Sequence, residues 1–183
     1  ISLTKEEALS GNIIYHYGYL DLSNLTSAEG LKLPDKVGGY LSLSGLKSAK
    51  GLELPTEIEG SLYLNSLTSA EGLKLPTEIG GGLLLDSLVS AKDLKLPDKI
   101  GGNLDLSGLT SAEGLKLPDK VGESLYLNSI TSSEGLKLPD KIGGSIYLTS
   151  LESLDGLDLS SNLISKMVFS DEIKNQLKNQ KTL

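Results

Sequence analysis

Proline stands at Pro34, Pro55, Pro76, Pro97, Pro118 and Pro139 and nowhere else, so one 21-residue unit is written along this chain about seven times. A unit this short cannot bury an apolar face alone. Self-similarity at a fixed period of roughly 20–50 residues is the signature of a solenoid, in which each coil covers the apolar face of the next. The core is then a column within one elongated domain.

Aligned on its proline, the unit reads position by position. Leucine or isoleucine recurs 14 and 12 residues before it (Leu41 and Leu43, Leu62 and Leu64, Leu125 and Leu127), and spacing of two means strand. A second pair lies three and one before it (Leu31 and Leu33, Leu73 and Leu75, Leu115 and Leu117). It is read as a second strand, closed by a proline that has no N–H for a ladder. P-x-x-I-G-G then turns the chain, with Val37, Ile58, Ile79, Ile100, Val121 or Ile142 inward and the glycines permitting a sharp corner. On the other side lies x-x-L-x-S-A-x-G, with Leu46 or Leu67 and Ala49 or Ala70 inward. Neither connection is long enough for an α-helix.

The fold class expected is therefore all-β, a parallel β-solenoid with two short strands per coil and short helical caps. The boundaries read are an N-terminal cap over 1–18, about seven coils over 19–159 and a C-terminal cap over 160–183. Thr4 followed by Glu7 forms a capping box for a helix near residues 4–9. Ser170 with Asp171 and Glu172 at its start and Lys178 near its end predicts a helix over 170–179. Its apolar residues Ile173 and Leu177 are placed, with Met167 to Phe169, over the open end of the core.

Charge and composition restrict function. The net charge is −7 and arginine is absent, which argues against nucleic acid as a partner, because phosphate-backbone affinity comes from clustered Lys and Arg. Without cysteine there is no disulfide, thiolate metal site or thiol nucleophile. No apolar run reaches the ~20 residues of a membrane span, so membrane insertion is not expected. Residues 1–20 do not read as a signal peptide. A chain that begins at Ile1 reads as a fragment or a processed product; if it is complete, a soluble cytoplasmic protein is expected.

The repeat offers no catalytic constellation. Ser27, Ser48, Ser69, Ser90, Ser111, Ser132 and Ser153 form a full column, and a nucleophile is needed once, not in every unit, so the column is read as a turn or ladder bond. His16, the one histidine, sits among Tyr15, Tyr17 and Tyr19 and reads as packing. Charged columns mix signs, as in Glu29, Lys50, Glu71, Lys92 and Glu113, which limits like-charge stacking. The Thr26, Thr68, Thr110 and Thr131 column is broken by Lys47 and Val89, so it makes no regular flat threonine array. No catalytic residue, metal site or cofactor is expected, and the chain is read as no enzyme.

The unit L-x-L-x-x-L-x-S-A-x-G-L-x-L-P-x-x-I-G, over residues 19–159, resembles the leucine-rich-repeat superfamily. L-P-x-x-I-G is similar to the convex segment of plant-type repeats and L-x-L-P-x-x-V to the strand segment of bacterial surface-type repeats, as at Leu75 to Gly80 and Leu117 to Gly122. The asparagine which that family places after its strand is here Leu25, Leu46, Leu67 or Leu88, so its asparagine ladder is missing. A right-handed parallel β-helix is the alternative cross-section. The resemblance implies a protein-recognition scaffold, in a bacterial or phage-like system, and carries no catalytic motif.

Between the two leucines of the first strand lies an outward column that varies in chemistry: Asp21, Ser42, Tyr63, Leu84, Asp105, Tyr126 and Tyr147. Tyr40 lies in the neighbouring column. Tyr, Ser, Asn and Asp on a rigid sheet make an adaptable binding face with tyrosine as anchor. The expected site is Tyr40, Tyr63, Leu84, Asp105, Tyr126 and Tyr147, and the expected partner is another protein. A monomer is expected, with end-to-end association as the other outcome. The competing readings are a structural or assembly segment of a larger surface or filament protein and, third, carbohydrate binding through Tyr63, Tyr126 and Tyr147.

Overall fold

The computed structural model describes residues 15–157 and 163–180. Two parallel sheets run along the repeat. Sheet A has seven strands: β1 (Tyr15–His16), β3 (Lys36–Val37), β5 (Glu57–Ile58), β7 (Glu78–Ile79), β9 (Lys99–Ile100), β11 (Lys120–Val121) and β13 (Lys141–Ile142). Sheet B has eight: β2 (Leu20–Asp21), β4 (Leu41–Ser42), β6 (Leu62–Tyr63), β8 (Leu83–Leu84), β10 (Leu104–Asp105), β12 (Leu125–Tyr126), β14 (Ile146–Leu148) and β15 (Met167–Phe169). Paired residues of neighbouring coils are offset by one unit, as in Leu41 opposite Leu62 and Val37 opposite Ile58. This is the expected parallel β-solenoid, with no α-helix among the described residues of the coils.

The first strand falls where period-two leucines place it, but the second does not. Leu31–Leu33, Leu73–Leu75 and their equivalents are not strands; sheet A is built after the proline, on Lys36–Val37, Glu78–Ile79 and so on. The reason is a change of period. From Leu43 the buried positions are Leu46, Ala49, Leu52, Pro55 and Ile58, one in every three. After two turns, the spacing of three over Leu52, Pro55 and Ile58 suits an extended path that needs no ladder, and the fixed φ of Pro55 is compatible with it. Consequently Leu73 is buried and Leu75 only partly so, while the proline itself faces the core.

Turn chemistry holds the rest of the coil. Leu46 N–H bonds Leu43 O at 3.0 Å, and Leu52 N–H bonds Ala49 O at 3.0 Å. The second turn places Gly51 at φ +75°, a left-handed position glycine adopts without strain. The serine column is its support: Ser48 Oγ accepts from Lys50 N–H at 3.2 Å, and the same bond recurs at Ser27, Ser69, Ser90, Ser111, Ser132 and Ser153. Those hydroxyls are therefore turn acceptors, as the repetition of the column implies.

Leucines 41, 43, 46, 62, 64 and 67 are fully buried, and the alanine column stays within 2% exposure, so coils lie close on each other. At about 1.5–3 kcal/mol per buried aliphatic side chain, this stacking is the dominant favourable term. Exposed pairs such as Lys36–Glu57 at 2.6 Å and Lys99–Glu78 at 3.3 Å add little. The mixing of signs is also local: Lys99, Lys120 and Lys141 stand in register with no acid between them.

The C-terminal end of the stack is closed by three devices. β15 pairs with β14 and adds a rung to sheet B. Lys166 Nζ donates to Ile142 O, on the last strand of sheet A. Helix α1 (Asp171–Gln180) then lays fully buried Ile173 on the core, with Ser170 Oγ accepting from Ile173 N–H at 3.4 Å as the N-cap. The helix expected near residues 4–9 lies outside the described residues. No helix among the described residues is long and apolar enough to cross a membrane.

Candidate functional site

The outward column of sheet B is continuous. Asp21, Ser42, Tyr63, Leu84, Asp105, Tyr126, Tyr147 and Val168 are register partners in turn. Two-residue strands suffice because the flanking leucines point into the core and leave the residue between them no other direction. Tyr63, Leu84, Asp105, Tyr126 and Tyr147 are half-buried. Ser42 departs from the expected openness, being buried between Asp21 and Tyr63 with its hydroxyl 3.2 Å from that of Ser44.

Tyrosines on this face meet across coils and form two clusters. Tyr126 and Tyr147 stack with ring centroids 4.6 Å apart and planes 2° apart. At the other end Tyr19 stacks on Tyr40 at 4.9 Å, and Tyr40 meets Tyr63 edge to face at 5.7 Å. Between them lie Leu84 and Asp105, beside Gly82, which replaces the larger residue of Tyr40's column. Since Tyr126 and Tyr147 cover each other's inner ring faces, this pair offers edges and hydroxyls, which fits polar and side-chain contacts better than the face of a sugar ring.

Polar neighbours are largely bonded to each other. Asp105 Oδ1 accepts from Ser107 N–H at 2.9 Å and from its hydroxyl at 2.5 Å, so Asp105 is held locally. Asn65 Nδ2 donates to Asp86 at 2.8 Å, and Thr149 Oγ1 donates to Asn128 Oδ1 at 3.1 Å. These ladders fix side chains before any partner arrives, which lowers the entropy lost on binding. Two titrations are shifted here. Loss of water around Tyr40, reinforced by the nearby Asp21 charge, holds its hydroxyl above the ordinary tyrosine value. The side-chain and backbone bonds from Ser23 hold Asp21 below the ordinary carboxyl value.

Alternation in the sequence puts Tyr40 beside the column, and the structure joins it to Tyr63. What alternation misses is the company at that end: Tyr15 meets Tyr17 edge to face at 4.3 Å, and Tyr17 is 87% exposed. The available signal was spacing, since Tyr19 and Tyr40 are one repeat apart and are therefore stacked neighbours. His16, by contrast, is buried opposite Val37, with Nε2 2.8 Å from Tyr19 O.

No family model, curated protein or solved structure matches this chain. Among the described residues there is no group of three or more His, Cys, Asp or Glu placed to hold a metal ion.

Proposed function

We propose that the chain is a non-enzymatic protein-binding scaffold that presents the outward face of sheet B. The reading is carried by one observation: tyrosines from different coils converge into two ring-contacting clusters on a face whose backbone is fixed by the stack. Tyrosine anchors lose little rotamer entropy and bury large amphipathic area, which is why they carry binding energy on rigid scaffolds. The likeness of L-x-L-P-x-x-V to leucine-rich repeats of the bacterial surface type supports a recognition role in a bacterial or phage-like system. The alternative, an assembly segment of a surface or filament protein, is less well supported, because Lys166 and helix α1 occupy the C-terminal end of the stack, where another coil would add.

The test is affinity capture with three forms of the chain: unaltered, Tyr126→Ala with Tyr147→Ala, and Lys116→Ala with Lys137→Ala. A partner retained by the first and third and lost by the second supports the reading. Loss from the lysine form alone moves the site to the exposed lysines of the G-L-K-L-P stretches, and concentration-dependent light scattering of the isolated chain favours assembly.

A further inference from the structure

Five of the seven tyrosines (Tyr15, Tyr17, Tyr19, Tyr40 and Tyr63) belong to the first three coils. Tyr15 faces outward from sheet A, Tyr17 lies on the glycine corner, Tyr63 faces outward from sheet B, and Tyr19 and Tyr40 lie between. The aromatic surface therefore wraps around an edge of the solenoid. Tyr17 and Tyr19 are 87% and 49% exposed, too much for core packing to explain.

Among the described residues, the charged groups beside these tyrosines are Asp21, Lys36, Glu57 and Glu59, three acids against one base. The base is already engaged, with Lys36 Nζ 2.6 Å from Glu57 Oε2. Glu59 stands in a column that is otherwise glycine in the neighbouring coils, and its Oε1 accepts from Tyr15 OH at 3.4 Å. Asp21 lies at the end of the outward column beside Ser42. Loss of water, then the charges of Glu59 and Asp21 respectively, holds the Tyr15 and Tyr40 hydroxyls above their ordinary value, and those two carboxylates are the nearby negative charges. Electron-rich ring faces beside carboxylates attract cations, and a planar guanidinium satisfies both at once, stacking on a ring while it bonds a carboxylate. This chain has no arginine, so nothing within it competes in that way, and a second copy could offer only lysine.

We propose that the tyrosine corner of the first three coils docks arginine side chains of a partner protein, with Tyr17 and Tyr19 as the ring surfaces and Glu59 as the carboxylate. This rests on the protein-binding reading and names the chemistry of the partner at one end of that face.

The probes are three synthetic peptides in which glycine alternates with arginine, lysine or glutamate, titrated calorimetrically into the full chain at low and moderate salt. The arginine peptide is expected to bind tightest and the glutamate peptide not to bind. Tyr17→Ala with Tyr19→Ala, and separately Glu59→Gln, are each expected to weaken the arginine peptide about fivefold, the size of a single cation–π or charge-assisted interaction. Tyr126→Ala with Tyr147→Ala should leave it unchanged. Glu59→Gln, at an exposed position, should melt with the unaltered chain, whereas the tyrosine variant gives up ring contacts with Tyr15 and Tyr40 and should melt a few degrees lower, so titration well below both melting temperatures separates weakened docking from a weakened fold. Equal binding of arginine and lysine peptides that ignores the corner variants overturns the proposal, as does preference for the glutamate peptide. An effect confined to Tyr126 and Tyr147 also overturns it while leaving the broader protein-binding reading intact.

Discussion

Asp93 occupies the left-handed backbone region at φ 63°, where Gly72 and Gly114, its equivalents in the adjoining coils, hold 76° and 74°. That conformation costs a non-glycine residue about 1–2 kcal/mol, although aspartate tolerates it better than most, and the greater unfolded-state entropy of glycine offsets part of the difference. Asp93→Gly should raise stability by up to ~1 kcal/mol, and Asp93→Val should lower it by more than that. Urea midpoints of the two variants check the sign.

Burial in the repeat follows spacing of three, so the leucines of G-L-K-L-P are not equal. Leu73→Ala, at a buried position, should cost about 2–5 kcal/mol through lost burial plus a cavity. Leu75→Ala, only partly buried, should cost about 1 kcal/mol. Lys74→Ala should be close to neutral. Equal destabilisation by Leu73→Ala and Leu75→Ala would contradict the three-residue path between Ala70 and Ile79.

That distinction marks where the sequence is and is not legible. Leu62 and Leu64 announce a strand because alternation has one meaning, and the 21-residue register follows from identity between units. Leu73 and Leu75 alternate in the same way, yet Pro76 is the residue turned inward with Leu73. Period two and period three agree over so short a span, and proline's lack of an N–H suggests a strand end where the residue in fact serves as a core position. For the site, the outward column is legible from alternation. The Tyr15–Tyr17 pair is not, because it lies on sheet A and its glycine corner, away from that column.

Gly101 tests the closeness of coils at that corner. A Cβ built there overlaps the Gly80 carbonyl of the preceding coil. Glu59 occupies the same column, so a side chain can be accommodated there, and Gly101→Ala should cost about 1–3 kcal/mol and not abolish folding. Thermal unfolding of that variant beside the wild type supplies the comparison.

Alkaline titration reads the tyrosine corner directly. The folded chain holds the Tyr15 and Tyr40 hydroxyls above their ordinary value, which favours their neutral forms. Their contribution to stability is therefore complete below the unfolded tyrosine value of about 10 and is lost as pH rises through the folded values. Phenolate absorbance should show a late component that Tyr15→Phe and Tyr40→Phe remove. A late component that persists in both variants would contradict the upward shift of these two hydroxyls.

The Tyr126–Tyr147 pair separates a binding role from a packing role. Parallel rings at 4.6 Å contribute about 0.5–1.5 kcal/mol beyond their area, so the coupling between Tyr126→Ala and Tyr147→Ala in a stability cycle should fall in that range. If the pair also anchors a partner, either substitution should cost about 2 kcal/mol or more of binding, a loss larger than the stability term explains. The measurements are a double-mutant cycle by denaturant unfolding and a second by affinity for any captured partner. Stability coupling with full affinity retained would make the pair a rung of the stack and nothing more. Lost affinity with melting temperature kept would make it an anchor, since only a residue at the interface can weaken binding without loosening the coil that carries it.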